Sequence, residues 1–366
     1  MPTPLSLSPE SCRGRQARLL EQMTASGLER VIVQQPENVQ WLTGFRPHRL
    51  MGAAVSLDAD GRCVLAAPNS PPEDIAADDC VTFEAQWCCT LRQEQASEAL
   101  RVLNDALADR VKPAKTGVEG SRTSMPADSA IVDLESDLWR LRRRKDPDEL
   151  ALIRRAVDCT HAMYAAARET IRPGITELEL YSVLHAAAVN TAGEPLTHPL
   201  GNDFQCNSPG GPPRERPAET GELFVLDLGP SYRGYYADNC RTMCVGCEPD
   251  DAQLQAWQAI VAALNYVGQT VRPGIRCRDV YEAVKRQLDA VRPGAFFHHL
   301  GHGMGLFPHE APHLNPNWDD VFEEGDVFTA EPGLYGDDLR AGIRLEENYI
   351  VTAGGVEKLT SYPLEL

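Results

Sequence analysis

The stretch HHLGHGMGLFPHEAPH, His298 to His313, packs five of the chain's nine histidines into sixteen residues. Inside it, HEAPH spells the H-E-x-x-H pattern, which holds zinc when positions i and i+4 share one helical face. Pro312 falls inside that turn. It lacks an amide proton, and its ring collides with the carbonyl four residues back, at a cost of about 3 kcal/mol in a helix interior. Pro308 and Pro312 together predict extended or turn structure, in which His309 and His313 share a face without zinc-helix geometry. The preceding LGHGMG reads differently. Gly301, Gly303 and Gly305 flank His302 and permit close approach of main chain to another group. The expectation is a site at His302 and no zinc helix.

A metal at that histidine needs partners, and carboxylates supply them. Asp227 lies in VLDLG and Asp238 in YYADNCRT, with GPSYRGYY between them predicting a hairpin that joins the two acids. Glu331 in TAEPGLY and Glu346 in GIRLEENYIV repeat the arrangement across a turn at Gly336, Asp337 and Asp338. An ionised acid in an apolar strand is costly unless paired or ligated. Four such acids beside a glycine-flanked histidine suit two divalent cations bridged by shared oxygens.

The pattern also repeats at larger scale. IRPGITELELY and VRPGIRCRDVY share an opening and a tyrosine, Tyr181 and Tyr281, and each predicts a helix end, a Pro-Gly break and a new helix. GELFVLDLG and GDVFTAEPG both place an acid six positions after the first glycine. These matches predict a domain of two related halves over residues 139–366. Upstream, a helix over 13–28, a strand RVIV, a turn and short element in PENVQWLTGF, and a hairpin around Asp60-Gly61 predict a smaller α/β domain over 1–138. The long helix after Arg144 and Lys145 starts at Pro147 with Asp146 as its cap. The fold class is α+β.

Bulk properties bound the function. With 35 basic and 53 acidic residues the formal net charge is −18, which argues against nucleic acid or anionic lipid as a partner. No apolar run is long enough to span a membrane, and the first residues lack the apolar core of a signal peptide. Eleven scattered cysteines without a framework predict reduced thiols and a cytoplasmic setting. Cys240, Cys244 and Cys247 lack a fourth zinc ligand at suitable spacing, and Cys88 with Cys89 reads as packing rather than a redox pair.

These residues resemble the pita-bread-fold metallopeptidases: Xaa-Pro dipeptidase (prolidase), aminopeptidase P and methionine aminopeptidase, with creatinase as a metal-free relative. The family's ligand order is Asp, Asp, His, Glu, Glu, in D-x-G, a later Asp, G-H-G-x-G, E-P-G and G-x-R-x-E. Here those positions are Asp227, Asp238, His302, Glu331 and Glu346. The N-terminal part is similar to the smaller domain of the prolidase and creatinase branch. The resemblance implies a pita-bread catalytic domain and two divalent metal ions, manganese best, with cobalt or zinc also accepted. It implies that Asp238 and Glu346 bridge the metals, with Asp227 completing one site and His302 and Glu331 the other. His309 then meets the substrate carbonyl and the tetrahedral intermediate, and His298 lines the pocket. Arg344 orients a ligand carboxylate, and Glu331 can also shuttle a proton. Glu310, His299 and His313 inherit no role and read as site walls or plain structure.

The resemblance implies hydrolysis of a peptide bond preceding proline, on a small peptide. One position departs from it: the family's substrate histidine, seventeen residues before the first ligand, is Gly210 here. Around it runs a loop in which Arg214 and Arg216 read as solvated. An amidohydrolase acting on a small non-peptide amide or cyclic amidine is therefore an alternative, and a binding protein that lost the chemistry is another. Two-domain relatives dimerise, so a homodimer is expected, with Trp41, Arg46 and His48 as candidates to reach a partner's site.

Overall fold

The computed structural model describes residues 5–120 and 130–366. The chain divides into two compact units, one ending at Arg142 and one spanning Arg143–Leu366. The first carries a six-stranded mixed sheet ordered Asp79–Phe83, Cys63–Pro68, Ala54–Asp58, Arg30–Val33, Thr116–Val118, Ile131–Asp133. The Asp60-Gly61 hairpin forms as expected, with Ala54–Asp58 antiparallel to Cys63–Pro68. The first helix starts earlier than its hydrophobic spacing predicts, at Pro9, because the Ser8 hydroxyl accepts from the Ser11 amide and caps it. The turn and short element expected in PENVQWLTGF are a single short helix, Pro36–Thr43, with proline in its first turn. Its Trp41 is fully buried and Arg46 donates to Gln40 and Glu37, so Trp41 reaches no partner. Cys88 and Cys89 are exposed in a tight hairpin turn, not packed.

The second unit displays the internal repeat. Helices Pro147–Thr170 and Glu177–Ala192 form one pair, and Asp251–Thr270 with Cys277–Val291 the other. The long helix does begin at Pro147, where the Asp146 amide donates to the Glu149 carboxylate. At the two Pro-Gly breaks, Gly174 donates its amide to the Ala218 carbonyl at 2.8 Å and Gly274 donates to the Phe322 carbonyl at 2.9 Å. Gly221 and Gly325, which open the acidic strands, donate to Val245 and Val351 at 2.9 Å each. These four glycines have φ between 87° and 92°, where a side chain is strained. The repeated letters therefore encode one backbone path used twice.

Two sheets carry the acids. Leu223–Leu228 lies between Asn239–Cys244 and Asn202–Cys206, all antiparallel. The second sheet runs Glu310–Leu314, Gly301–Gly303, Val327–Ala330, Glu347–Thr352, Gly355–Lys358. Gly301–Gly303 is squeezed between neighbours: a Cβ on Gly301 would lie 2.1 Å from the Thr329 carbonyl oxygen, and one on Gly303 2.0 Å from that of Ala311. Glycine is thus required for backbone packing that places His302.

HEAPH is extended, with Glu310–Leu314 a strand. Its glutamate pairs with Lys145 at 3.0 Å, both side chains almost fully buried. Removing one member of such a pair strands a buried charge, at a cost of about 3–5 kcal/mol, whereas replacing both with apolar residues is often neutral. Lys145→Met should therefore lower unfolding free energy by about that amount, and Lys145→Met with Glu310→Leu should recover most of it in denaturant titrations. Equal losses in the single and double variants would contradict this reading.

Candidate metal centre

Asp227 sits near the end of Leu223–Leu228, and Asp238 immediately precedes Asn239–Cys244. The short hairpin Ser231–Tyr232 with Tyr235–Tyr236 returns the chain between them. In the other half Glu331 follows Val327–Ala330, and the hairpin Gly333–Gly336 with Ala341–Arg344 leads to Glu346. The two halves are tied at the acids themselves. The Asn239 amide donates to the Glu346 carbonyl at 2.6 Å, and the Asn348 amide donates to the Asp238 carbonyl. The Glu346 amide donates to the Cys240 carbonyl at 3.0 Å.

The sequence-predicted residues converge. Asp227, Asp238 and Glu346 bring one carboxylate oxygen each within 4.8 Å of one another; Asp238, His302 and His309 form a second group, and His298, His299 and Glu331 a third. His302 Nε2 lies 3.5 Å from Glu331 and 3.7 Å from Asp238. Its Nδ1 is 3.0 Å from the Gly303 carbonyl, which fixes that nitrogen as the donor and turns the Nε2 lone pair to the acids. Both oxygens of Glu346 are buried without a hydrogen-bond partner. Acidic oxygens around an imidazole lone pair, one carboxylate wholly unsatisfied, fit divalent cations.

The electrostatics agree. Burial, then the charges of Asp227 and Glu331, pushes the Asp238 carboxyl well above the usual range. Burial and then Asp238 do the same to Glu346. Burial pushes His302 down to about 3, so it is neutral. Glu331 goes the other way: burial opposes ionisation, but the hydrogen bond and charge of His299, with His302 and Arg344, hold it well below the ordinary carboxylate range.

Around this centre lies a cavity of about 480 Å³. His309 is exposed at it, its ring stacked on His302 with centroids 3.8 Å apart. His313 does not share that face. It bonds Asp320 at 2.8 Å and stacks on Trp318, because pairing with Gly301–Gly303 shifts register between His302 and Gly303. His298 lines the cavity, but both its ring nitrogens are engaged, Nδ1 with the His299 carbonyl at 2.8 Å and Nε2 with the Tyr335 hydroxyl at 2.9 Å. Burial pushes it down to about 4, so as placed it is a neutral wall rather than a proton donor. Arg344 donates to Asp227 at 2.7 Å, to Asp203, and to the Tyr335 hydroxyl at 3.2 Å.

Three lining groups went unassigned in the sequence: Asp203, Tyr335 and the role of His299, which sits 3.3 Å from Glu331. Asp203 could have been suspected from its place opposite a strand acid, though only pairing register reveals that. The arginine loop has partners of its own. Arg214, exposed as expected, also pairs with fully buried Glu177 at 2.6 Å, and half-exposed Arg216 pairs with Glu222 at 2.5 Å, so the solvated loop is pinned at both arginines.

The raised carboxyls give a signed prediction. Asp238 and Glu346 keep protons in the folded state that the unfolded chain releases, so their contribution to stability falls as pH rises through their raised values. A divalent cation relieves that repulsion and competes with those protons. Manganese at a hundredfold excess over Kd should stabilise by about 2.7 kcal/mol. At fixed metal concentration the gain in melting temperature should be larger at pH 8 than at pH 5; equal gains would contradict the assignment.

Comparison with known proteins gives the family and the fold. Residues 151–353 match metallopeptidase family M24, and residues 15–143 match the creatinase/prolidase N-terminal domain. The Xaa-Pro dipeptidase of Pyrococcus furiosus is 26% identical, covering 96% of this chain and 99% of its own. The Xaa-Pro dipeptidase structure from Bacillus anthracis has a TM-score of 0.83 at 22% identity, covering 97% and 99% of the two chains. A His350Ala Escherichia coli aminopeptidase P has a TM-score of 0.79 at 19% identity, covering 99% and 97%. The expected family and α+β fold are met, and this chain belongs to metallopeptidase family M24.

Proposed function

We propose that this protein hydrolyses the peptide bond preceding proline in small peptides, using two divalent cations held by Asp227, Asp238, His302, Glu331 and Glu346. The observation that carries the reading is the Glu346 carboxylate, buried with both oxygens unsatisfied among two aspartates. The names of the relatives supply the substrate class. Manganese suits the oxygen-rich donor set best. When bound, such cations supply an activated water and polarise the scissile carbonyl.

The chain's own residues then divide the remaining work. Asp238 belongs to two of the three groups and would be shared between the two cations, were they bound. Arg344 holds Asp227 in orientation through its 2.7 Å bond. His309, exposed over His302, can donate to the oxyanion that develops on the attacked carbonyl. Glu331, held ionised between His299 and His302, would serve as a cation ligand and is placed to accept a hydrogen bond from the attacking water. A second reading, cleavage of a small non-peptide amide, is favoured by Gly210, which leaves the cavity wall without the imidazole expected there.

Release of proline or prolinamide across a panel of Xaa-Pro dipeptides and their C-terminal amides, with manganese-reconstituted protein, tests the proposal. Asp238→Asn should lower kcat/KM by at least about a thousandfold, because it removes a shared ligand. His309→Ala should lower kcat by about 10²–10³ with little change in KM, the signature of a group used in the transition state. Hydrolytic ring opening of a cyclic amide or amidine without release of proline would favour the second reading.

A further inference from the structure

The cavity wall opposite the histidines is built around an acid that the metal grouping does not use. Asp203 lies on the strand Asn202–Cys206, directly opposite Asp227 in register. Among the described residues it belongs to none of the ligand groups, yet it lines the cavity. Its carboxylate is held from two sides. The Gly211 amide donates to Oδ1 at 2.5 Å, and Arg344 Nη2 donates to Oδ2.

Gly210 makes that placement possible. A Cβ at position 210 would lie 2.5 Å from Asp203 Oδ2, 2.6 Å from Cγ and 2.7 Å from Oδ1. A side chain at 210 is therefore incompatible with the Asp203 carboxylate as placed, and would push it aside. This protein has chosen the carboxylate.

The charge of the wall follows. Arg344 is the only arginine or lysine lining the cavity among the described residues, and its Nη2 is already shared by Asp203 and Asp227 while Nη1 faces Tyr335. A substrate carboxylate arriving at this wall meets an anion, and the one guanidinium beside it is already shared between two carboxylates, its Nε buried. An amide or amine arriving there finds an acceptor. Like-charge juxtaposition rejects a ligand as effectively as good contacts attract one.

We propose that Asp203 is a specificity-determining residue that turns the site against substrates ending in a free carboxylate and toward those presenting an N–H donor at the same place, such as C-terminal amides. This rests on the peptidase reading for its choice of probes. L-Proline and L-prolinamide differ only in that terminal group, and their binding to the manganese-loaded protein can be measured by calorimetry without turnover.

Prolinamide should bind at least about tenfold more tightly than proline. Asp203→Asn should bring the ratio to within about twofold. Gly210→Ala, which forces the carboxylate aside, should move the ratio the same way from a second position. Equal affinities in the unaltered protein, a ratio unmoved by Asp203→Asn, or no binding of either compound overturns the inference. Kinetics separate it from the parent reading. A binding preference for prolinamide with no cleavage of Ala-Pro or Ala-Pro-amide sinks the peptidase reading and keeps the specificity. Faster cleavage of Ala-Pro than of its amide keeps the peptidase and sinks the specificity.

Discussion

Four carboxylates brought into one buried space repel each other, and the surrounding structure has to hold them there. Two buried asparagines do this reciprocally. Asn239, next to Asp238, holds the carbonyl of Glu346; Asn348, two residues past Glu346, holds the carbonyl of Asp238. Each half of the catalytic domain thus fixes the backbone beneath the other half's acid. Each is a direct donor to the main chain, and losing it would leave a buried carbonyl without that partner. Arg241 adds to the clamp, its Nη1 donating to the Glu346 carbonyl at 2.5 Å from full burial.

The same clamp explains why His302 can be so tightly packed. Its strand has glycine at both neighbours because carbonyls of the adjoining strands occupy the space where side chains would be. Position, tautomer and neutrality of the imidazole all follow from that crowding: the ring is buried, one nitrogen is spent on the next carbonyl, and the other faces the acids. Further back, the Lys145–Glu310 pair backs Gly305, where a Cβ would strike both side chains. The glutamate of H-E-x-x-H is therefore a structural ion here.

Much of the centre was legible because its residues are chemically conspicuous and locally patterned. Acids in apolar strands, glycines around a histidine and a proline inside a would-be helix each carry a cost that only one kind of structure relieves. The duplicated Pro-Gly openings were legible for the same reason, since positive φ narrows the residue choice to glycine. What stayed hidden depends on long-range register. Nothing near Asp203 announces that it faces Asp227, or that Arg344 from the other half reaches both. His299 reads as a spare imidazole until its 3.3 Å approach to Glu331 is seen. The loop arginines were half-read in the same way: their ion partners Glu177 and Glu222 are chosen by neighbours in space.

The matched glycine contacts mean that the two halves follow one backbone path, but they do not contribute alike to the centre. The first supplies Asp227 and Asp238; the second supplies Glu331, Glu346 and the imidazole. Neither half by itself presents a balanced donor set, and the first alone would carry two crowded anions and nothing to temper them. A change in either half is therefore tested by selection only through its fit to the other, so the halves are bound to drift as partners and never separately.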